Sequence, residues 1–306
     1  MKTIHPILLV LGALSVLLLS SCTQSPTNQS SPNTQNVSPK VITPDWSIAQ
    51  TLIALEHPPI ATGDINSYAD WASTPTIPRN VVDVGLRFSP NAELFAQLDG
   101  DLIIDNAFYQ HLRPLYKNIP HQEVSLTLDE TANWENFESY THQIGKLIGK
   151  QTQAAQYLKH SKTDIVHHGA LFRQKNPTIH TLAIVQFANA QNYRLYTKNS
   201  LFYVAVKEMG LTLHAPTQGN AWGFANQNLG DLVQLPPDVC LVIIRPFSQM
   251  LEHELNKNIL WQNMGFGQNR CMMVLPPVWI SGGVPSLVNL SHALSQATVM
   301  GVRHDS

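Results

Sequence analysis

The side chains best equipped for chemistry in this sequence are hydrogen-bond donors and flat aromatics, and they suit holding a ligand better than transforming one. Trp46, Trp71, Trp222 and Trp279 fall where strand-to-helix loops are expected, two from each half of the chain, whereas Trp134 and Trp261 fall on helical patterns. A loop tryptophan offers large contact area at little entropic cost, and four of them point to a shared aromatic cleft. Taken singly, each is as well explained by local packing. Arg87 directly follows the apolar run 81–86, and Tyr109 follows the run 101–105 across a short loop. Both positions are strand C-terminal ends, where open α/β sheets place ligands. A guanidinium and a phenol donate to oxygens carrying partial negative charge. For Arg87 the alternative is a solvated charge or a structural pair with Asp83.

The elements that must position these residues are short apolar runs at 81–85, 101–105, 180–187, 240–244 and 271–275. Their continuous rather than alternating apolarity predicts strands covered on both faces, hence mainly parallel sheets. Helical patterns at 91–98, 200–209 and 285–297 lie between them, and Ser89 followed by Pro90 reads as a helix start. The fold class is therefore α/β, and a weak echo between 94–105 and 232–244 suits two similar lobes. Between the halves, 152–173 is a long polar helical pattern, a rod of roughly 33 Å. The expected division is 40–151 for the first lobe, 152–174 for the linking helix and 175–306 for the second lobe. A cleft between such lobes is a natural ligand site.

Trp46, the segment Asn66-Ser67-Tyr68-Ala69-Asp70-Trp71, the segment Val82-Asp83-Val84-Gly85-Leu86-Arg87, then Pro90-Asn91-Ala92-Glu93-Leu94 and Tyr109 resemble the first lobe of the periplasmic ferric hydroxamate-binding proteins. Asn199-Ser200-Leu201-Phe202, Asn220-Ala221-Trp222-Gly223 and Pro276-Pro277-Val278-Trp279 continue the resemblance through the second. That family belongs with the iron-siderophore and cobalamin solute-binding proteins of ABC importers. The resemblance implies the class III fold, two lobes joined by one backbone helix that open and close little. It implies that Arg87 and Tyr109 hydrogen-bond the hydroxamate oxygens around iron, with Trp46, Trp71, Trp222 and Trp279 packed about the chelate. Two family aromatics are replaced, one near Ala215 and one at Ser281, so the second-lobe wall, Ser281 included, is expected to be roomier. The resemblance also implies one acidic residue per lobe docking on the permease, here Glu93 and Asp231. Haem or cobalamin on the same fold is the alternative ligand.

The chain ends carry an address. Residues 7–19 form an apolar run behind Lys2, too short for a comfortable membrane span, and it closes in Leu19-Ser20-Ser21-Cys22. This resembles a lipoprotein signal, 1–21, with Cys22 as the acylated residue, and 22–39 is a Ser/Thr/Asn/Gln/Pro tether with nothing to bury. The expectation is a monomeric body held beside a membrane on the periplasmic or extracytoplasmic side. With 13% charged residues and a formal net charge of −2 there is no basic field for nucleic acid. Thirteen histidines show no H-x-x-x-H spacing, and G-x-S-x-G, glycine-rich phosphate loops and H-E-x-x-H are absent. No catalysis, no resident cofactor and no protein-bound metal are expected; iron enters only inside the siderophore. A ferric trihydroxamate is close to neutral, so one arginine suffices for it, whereas a ferric tris-catecholate would call for several cations. Cys240 and Cys271 each open an apolar run and are expected as buried free thiols, the alternative being a disulfide.

Overall fold

The structure, a computed structural model, describes residues 38–301. The signal segment, Cys22 and the tether up to residue 37 lie outside the described residues. Two sheets organise the rest. The first half runs β1 (Val41–Ile42), α1 (Trp46–Ala54), β2 (Ala61–Thr62), α2 (Ile65–Trp71), β3 (Val82–Asp83), β4 (Gly85–Leu86), β5 (Ser89–Pro90), α3 (Ala92–Ala96), β6 (Leu102–Asp105), a 3-10 helix (Ala107–Leu115) and β7 (His121–Glu123). Its sheet has the order β3-β2-β1-β6-β7 with every pairing parallel. Ile103 and Ile104 are fully buried, which is why 101–105 reads as an unbroken apolar run, while β1, equally buried at Val41 and Ile42, is too short to stand out in the sequence.

After α4 (Trp134–Leu147) the 25-residue α5 (Gln151–Lys175) crosses to the second half. Its buried residues, Ala154, Leu158, Ser161, Ile165 and Phe172 among them, recur every three or four positions along one face. Ala154 packs into the first-half core, while Leu158, Ile165 and Phe172 belong to the second. Gly169 lies where α5 crosses the end of the next helix. A Cβ there would collide with the backbone of Met209, so the close approach needs glycine.

The second half contains β8 (Thr181–Phe187), β9 (Asn192–Tyr196), α6 (Leu201–Glu208), β10 (Thr212–Leu213), β11 (Phe224–Asn228), β12 (Val239–Ile244), α7 (Gln249–Lys257), α8 (Ile259–Met264), β13 (Met272–Leu275) and α9 (Val284–Gln296). Its sheet order is β11-β9-β8-β12-β13. The β8, β12 and β13 pairings are parallel, while β9 and β11 are antiparallel additions. Among the described residues no helix is long and apolar enough to cross a membrane.

Three local expectations are corrected. The run 81–85 is not one strand: β3 is a short exposed edge strand, and at Gly85, with φ of +86°, the chain turns into the β4–β5 hairpin. Ser89 and Pro90 form the return strand of that hairpin, an edge position that tolerates a missing N–H. Asn91 caps α3 instead, its Oδ1 accepting from Leu94 N at 2.9 Å. Cys240 and Cys271 are not free thiols but a disulfide, with Cα atoms 4.7 Å apart. Leu241 pairs with Met272 in the β12–β13 register, so the preceding cysteines fall side by side within bridging distance.

Candidate ligand-binding site

Arg87 occupies the tip of the β4–β5 hairpin, and the hairpin is pressed onto the end of β2. A Cβ on Gly63 would stand 2.8 Å from Gly85 O and 3.1 Å from Arg87 Cα, so glycine permits this contact. The Gly63 carbonyl meanwhile accepts from Trp46 Nε1 at 2.9 Å. The indole so fixed carries the Arg87 guanidinium, whose Cζ is 3.6 Å from the ring centroid, with Trp279 and Phe88 at 5.3 and 5.2 Å. Asp64 Oδ2 accepts from Arg87 N at 2.9 Å and lies 3.4 Å from Nε. That Nε is nevertheless buried without a hydrogen-bond partner. Asp64 thus answers the charge of Arg87 without closing a hydrogen bond to Nε, and the guanidinium, laid on its aromatic floor, borders the hollow. Asp83, the structural partner weighed from the sequence, is engaged elsewhere: its carboxylate accepts from Gly85 N and Ile65 N.

Tyr109 sits beside Arg87 on the 3-10 helix after β6. Its phenol is a donor at neutral pH, and burial and the negative charge of Asp45 raise its pKa further above the ordinary value, while the nearby Arg87 pulls the other way. Asn106 places this turn. Its Nδ2 donates to Asp45 Oδ2 at 2.8 Å and its Oδ1 accepts from Phe108 N at 3.0 Å. Asp45 caps α1 by accepting from Ser47 N and Ile48 N. Burial raises the Asp45 pKa, against those amides, Asn106 and Arg87, which lower it. Phe88 stacks on Tyr109 at 5.1 Å and is half exposed.

The second half closes the hollow. Trp279 Nε1 donates to Ser47 Oγ at 3.1 Å, and Ser47 Oγ donates to Ser281 O at 2.7 Å. Trp279 also meets Trp46 edge-on at 4.8 Å. Trp222 comes from the turn before β11 and stacks on Phe108 at 4.9 Å and 18°, an aromatic bridge between the halves with both rings more than half exposed. Together Arg87, Phe88, Tyr109, Trp222, Trp279 and Ser281 line a hollow of about 310 Å³.

Thus four of the expected aromatic and donor residues, with Ser281, converge, and two do not. Trp46 begins α1 rather than a loop and is 2% exposed, so it lies beneath Arg87 and supports it from below. Trp71 closes α2 and lines a different cavity. Phe88, Phe108, Asp45 and Asn106 are not singled out by the sequence reading. The signal available was adjacency: each donor has a phenylalanine next to it. Glu93 is exposed in the first turn of α3. Asp231 is also exposed, and its Oδ2 accepts from Asn228 N at 2.9 Å, closing a capping box on the 3-10 helix Leu229–Gln234. Among the described residues no three His, Cys, Asp or Glu converge to hold a metal ion.

Comparison with known proteins fits this geometry. The profile of the family described as periplasmic binding protein matches residues 41–278. The iron(3+)-hydroxamate-binding protein FhuD of Escherichia coli is 23% identical over 274 residues, covering 84% of this chain and 86% of that protein. Among solved structures, the siderophore-binding protein FhuD from Vibrio cholerae bound to Fe3+-Desferal superposes with a TM-score of 0.76 at 25% identity, over 85% of this chain and 98% of that one. The triscatecholate siderophore-binding protein FeuA from Bacillus subtilis shares the fold, with a TM-score of 0.63 at 16% identity over 84% and 91%.

Proposed function

The chain belongs to the periplasmic binding protein family, and we propose that it captures ferric hydroxamate siderophores as the solute-binding component of an ABC importer. The observation that carries this reading is the Arg87 guanidinium, laid on Trp46 at the edge of the hollow beside the phenol of Tyr109. Two donors of different strength then face one small hollow. Hydroxamate oxygens bound to iron keep partial negative charge and accept from both, while aromatic faces cover the apolar sides of the chelate. No protein atom need touch the metal, and no resident cofactor is involved.

Charge supports hydroxamate over catecholate. Arg87 is offset by Asp64 at 3.4 Å and by Asp45 on the wall of the hollow. A nearly neutral chelate suits such a site, whereas a trianionic one would find a single cation already offset by carboxylates. Family members work outside the cytoplasm as solute-binding proteins. In this reading Cys22 carries the lipid that keeps a monomeric body beside the membrane, and Glu93 and Asp231 present acids to the permease, whose ATPase drives import. Replacing Cys22 by serine should release the protein from membrane fractions; retention of a cleaved Cys22→Ser protein there would contradict the anchor.

The test of the ligand is quenching of tryptophan fluorescence by a panel of ferric desferrioxamine, a ferric tris-catecholate, haem and cobalamin. The expected result is saturable, one-to-one quenching by the hydroxamate complex and weaker binding by the others. Saturable binding of cobalamin or haem alone would keep the fold and overturn the ligand.

A further inference from the structure

A second cavity, about 700 Å³ in volume, opens between Trp71 with Asp70 at the end of α2 and the second-half residues Gln186, Arg194, Phe247 and Met250. It shares no lining residue with the hollow around Arg87. Two stretches of chain run between them. Helix α2 carries Tyr68, whose ring meets Trp46 at 5.4 Å beneath Arg87, and Trp71 follows three residues later. On the other side Arg194 lies 5.0 Å over Phe224, two residues beyond Trp222.

The first hollow, at about 310 Å³, is near the bottom of the roughly 300–1,000 Å³ usual for small-molecule sites. A hexadentate chelate has, besides its iron and oxygens, the chains that link its hydroxamates, and those chains need room. The second cavity supplies room with a built polar wall. Gln186 is 97% buried, its exposure being 3%. A guanidinium can only donate, so the carboxamide oxygen must face Arg194 NH1 at 3.3 Å, where it also accepts from the Tyr196 hydroxyl at 3.2 Å. Gln186 lines the cavity, and its carboxamide NH2 has no protein acceptor among the described residues. Asp70 and Glu254 are exposed carboxylates on the same lining, two against the single cation of Arg194.

We infer that this cavity is the subsite for the linking chain of the bound chelate. An amide carbonyl of the chain accepts from Gln186, and its methylenes pack on Trp71 and Phe247. A free chain end, where there is one, is an ammonium drawn to Asp70 and Glu254 and not a carboxylate. This rests on the hydroxamate reading of the neighbouring hollow.

The test compares three probes by titration calorimetry: iron(III) tris(acetohydroxamate), which has no linking chain; ferric desferrioxamine B, whose chain ends in an ammonium; and its N-succinyl derivative, which ends in a carboxylate. Met250 is 69% exposed, so Met250→Trp can fill the cavity without disturbing the core. It should weaken ferric desferrioxamine B about tenfold while the chainless chelate binds as before. The wild-type protein should prefer the ammonium-ended chain by about fivefold, and Asp70→Asn with Glu254→Gln should remove that preference. Equal binding of all chelates by wild type and Met250→Trp, or a preference untouched by the two neutralising changes, would overturn the inference and leave the first hollow intact. Binding of none of the three would overturn the hydroxamate reading and this inference together.

Discussion

The two walls of the Arg87 hollow are built differently. On the first-half wall each polar group is held by another: Trp46 by Gly63, Arg87 by Trp46 and Asp64, Tyr109 through Asn106 and Asp45. Trp46 and Tyr109 are 2% exposed, so their geometry is set before any ligand arrives. The second-half wall offers Trp222, half exposed, Trp279, whose indole N–H is spent on Ser47, and Ser281, whose backbone carbonyl is used in the tie to Ser47. Directional chemistry is thus concentrated on one side, and the other contributes area. A site of this kind fixes the common feature of its ligands, iron-bound oxygens, and leaves their variable outsides loosely specified.

Unlinking the second-half sheet should have the largest effect, and on stability alone. Replacing Cys240 and Cys271 by alanine removes a link between residues 31 apart, costing about 2–4 kcal/mol. Chemical denaturation should show the loss, with siderophore affinity unchanged at a temperature where the variant is folded. Breaking the first wall should act on affinity. Arg87→Ala should weaken ferric desferrioxamine binding by about 1.5–3 kcal/mol, as expected for a hydrogen bond to a charged group. Tyr109→Phe removes one neutral donor and should cost about 0.5–1.5 kcal/mol. On the second wall, Trp222→Leu keeps apolar area but loses the stack with Phe108, and should cost about 0.5–1 kcal/mol. Titration calorimetry on the three variants gives the order directly. If Trp222→Leu costs more than Arg87→Ala, the contrast between the walls is inverted.

Much of the fold was legible because its central strands are buried on both faces. The runs at 101–105, 180–187, 240–244 and 271–275 correspond to β6, β8, β12 and β13. Strands β9 and β11 were not legible: Asn192–Tyr196 and Phe224–Asn228 alternate with polar residues and pair antiparallel at a sheet edge. Arg87 and Tyr109 could be found because they follow apolar runs. Trp46 was misplaced as a loop residue because the cap that starts its helix, Asp45, precedes it by one position and went unread. Trp71 and Trp222 look alike in sequence, and only the folded chain shows that they line different cavities. The disulfide depends on strand register, which periodicity does not reveal.

The most direct measurement is a crystal structure of the protein with ferric desferrioxamine, with the iron located by its anomalous scattering. The account predicts iron in the hollow between Arg87 and Trp222, with hydroxamate oxygens accepting from the Arg87 guanidinium and the Tyr109 hydroxyl and no protein atom on the metal. Iron in the larger cavity beside Trp71, or a chelate whose oxygens turn away from Arg87 and Tyr109, would contradict it.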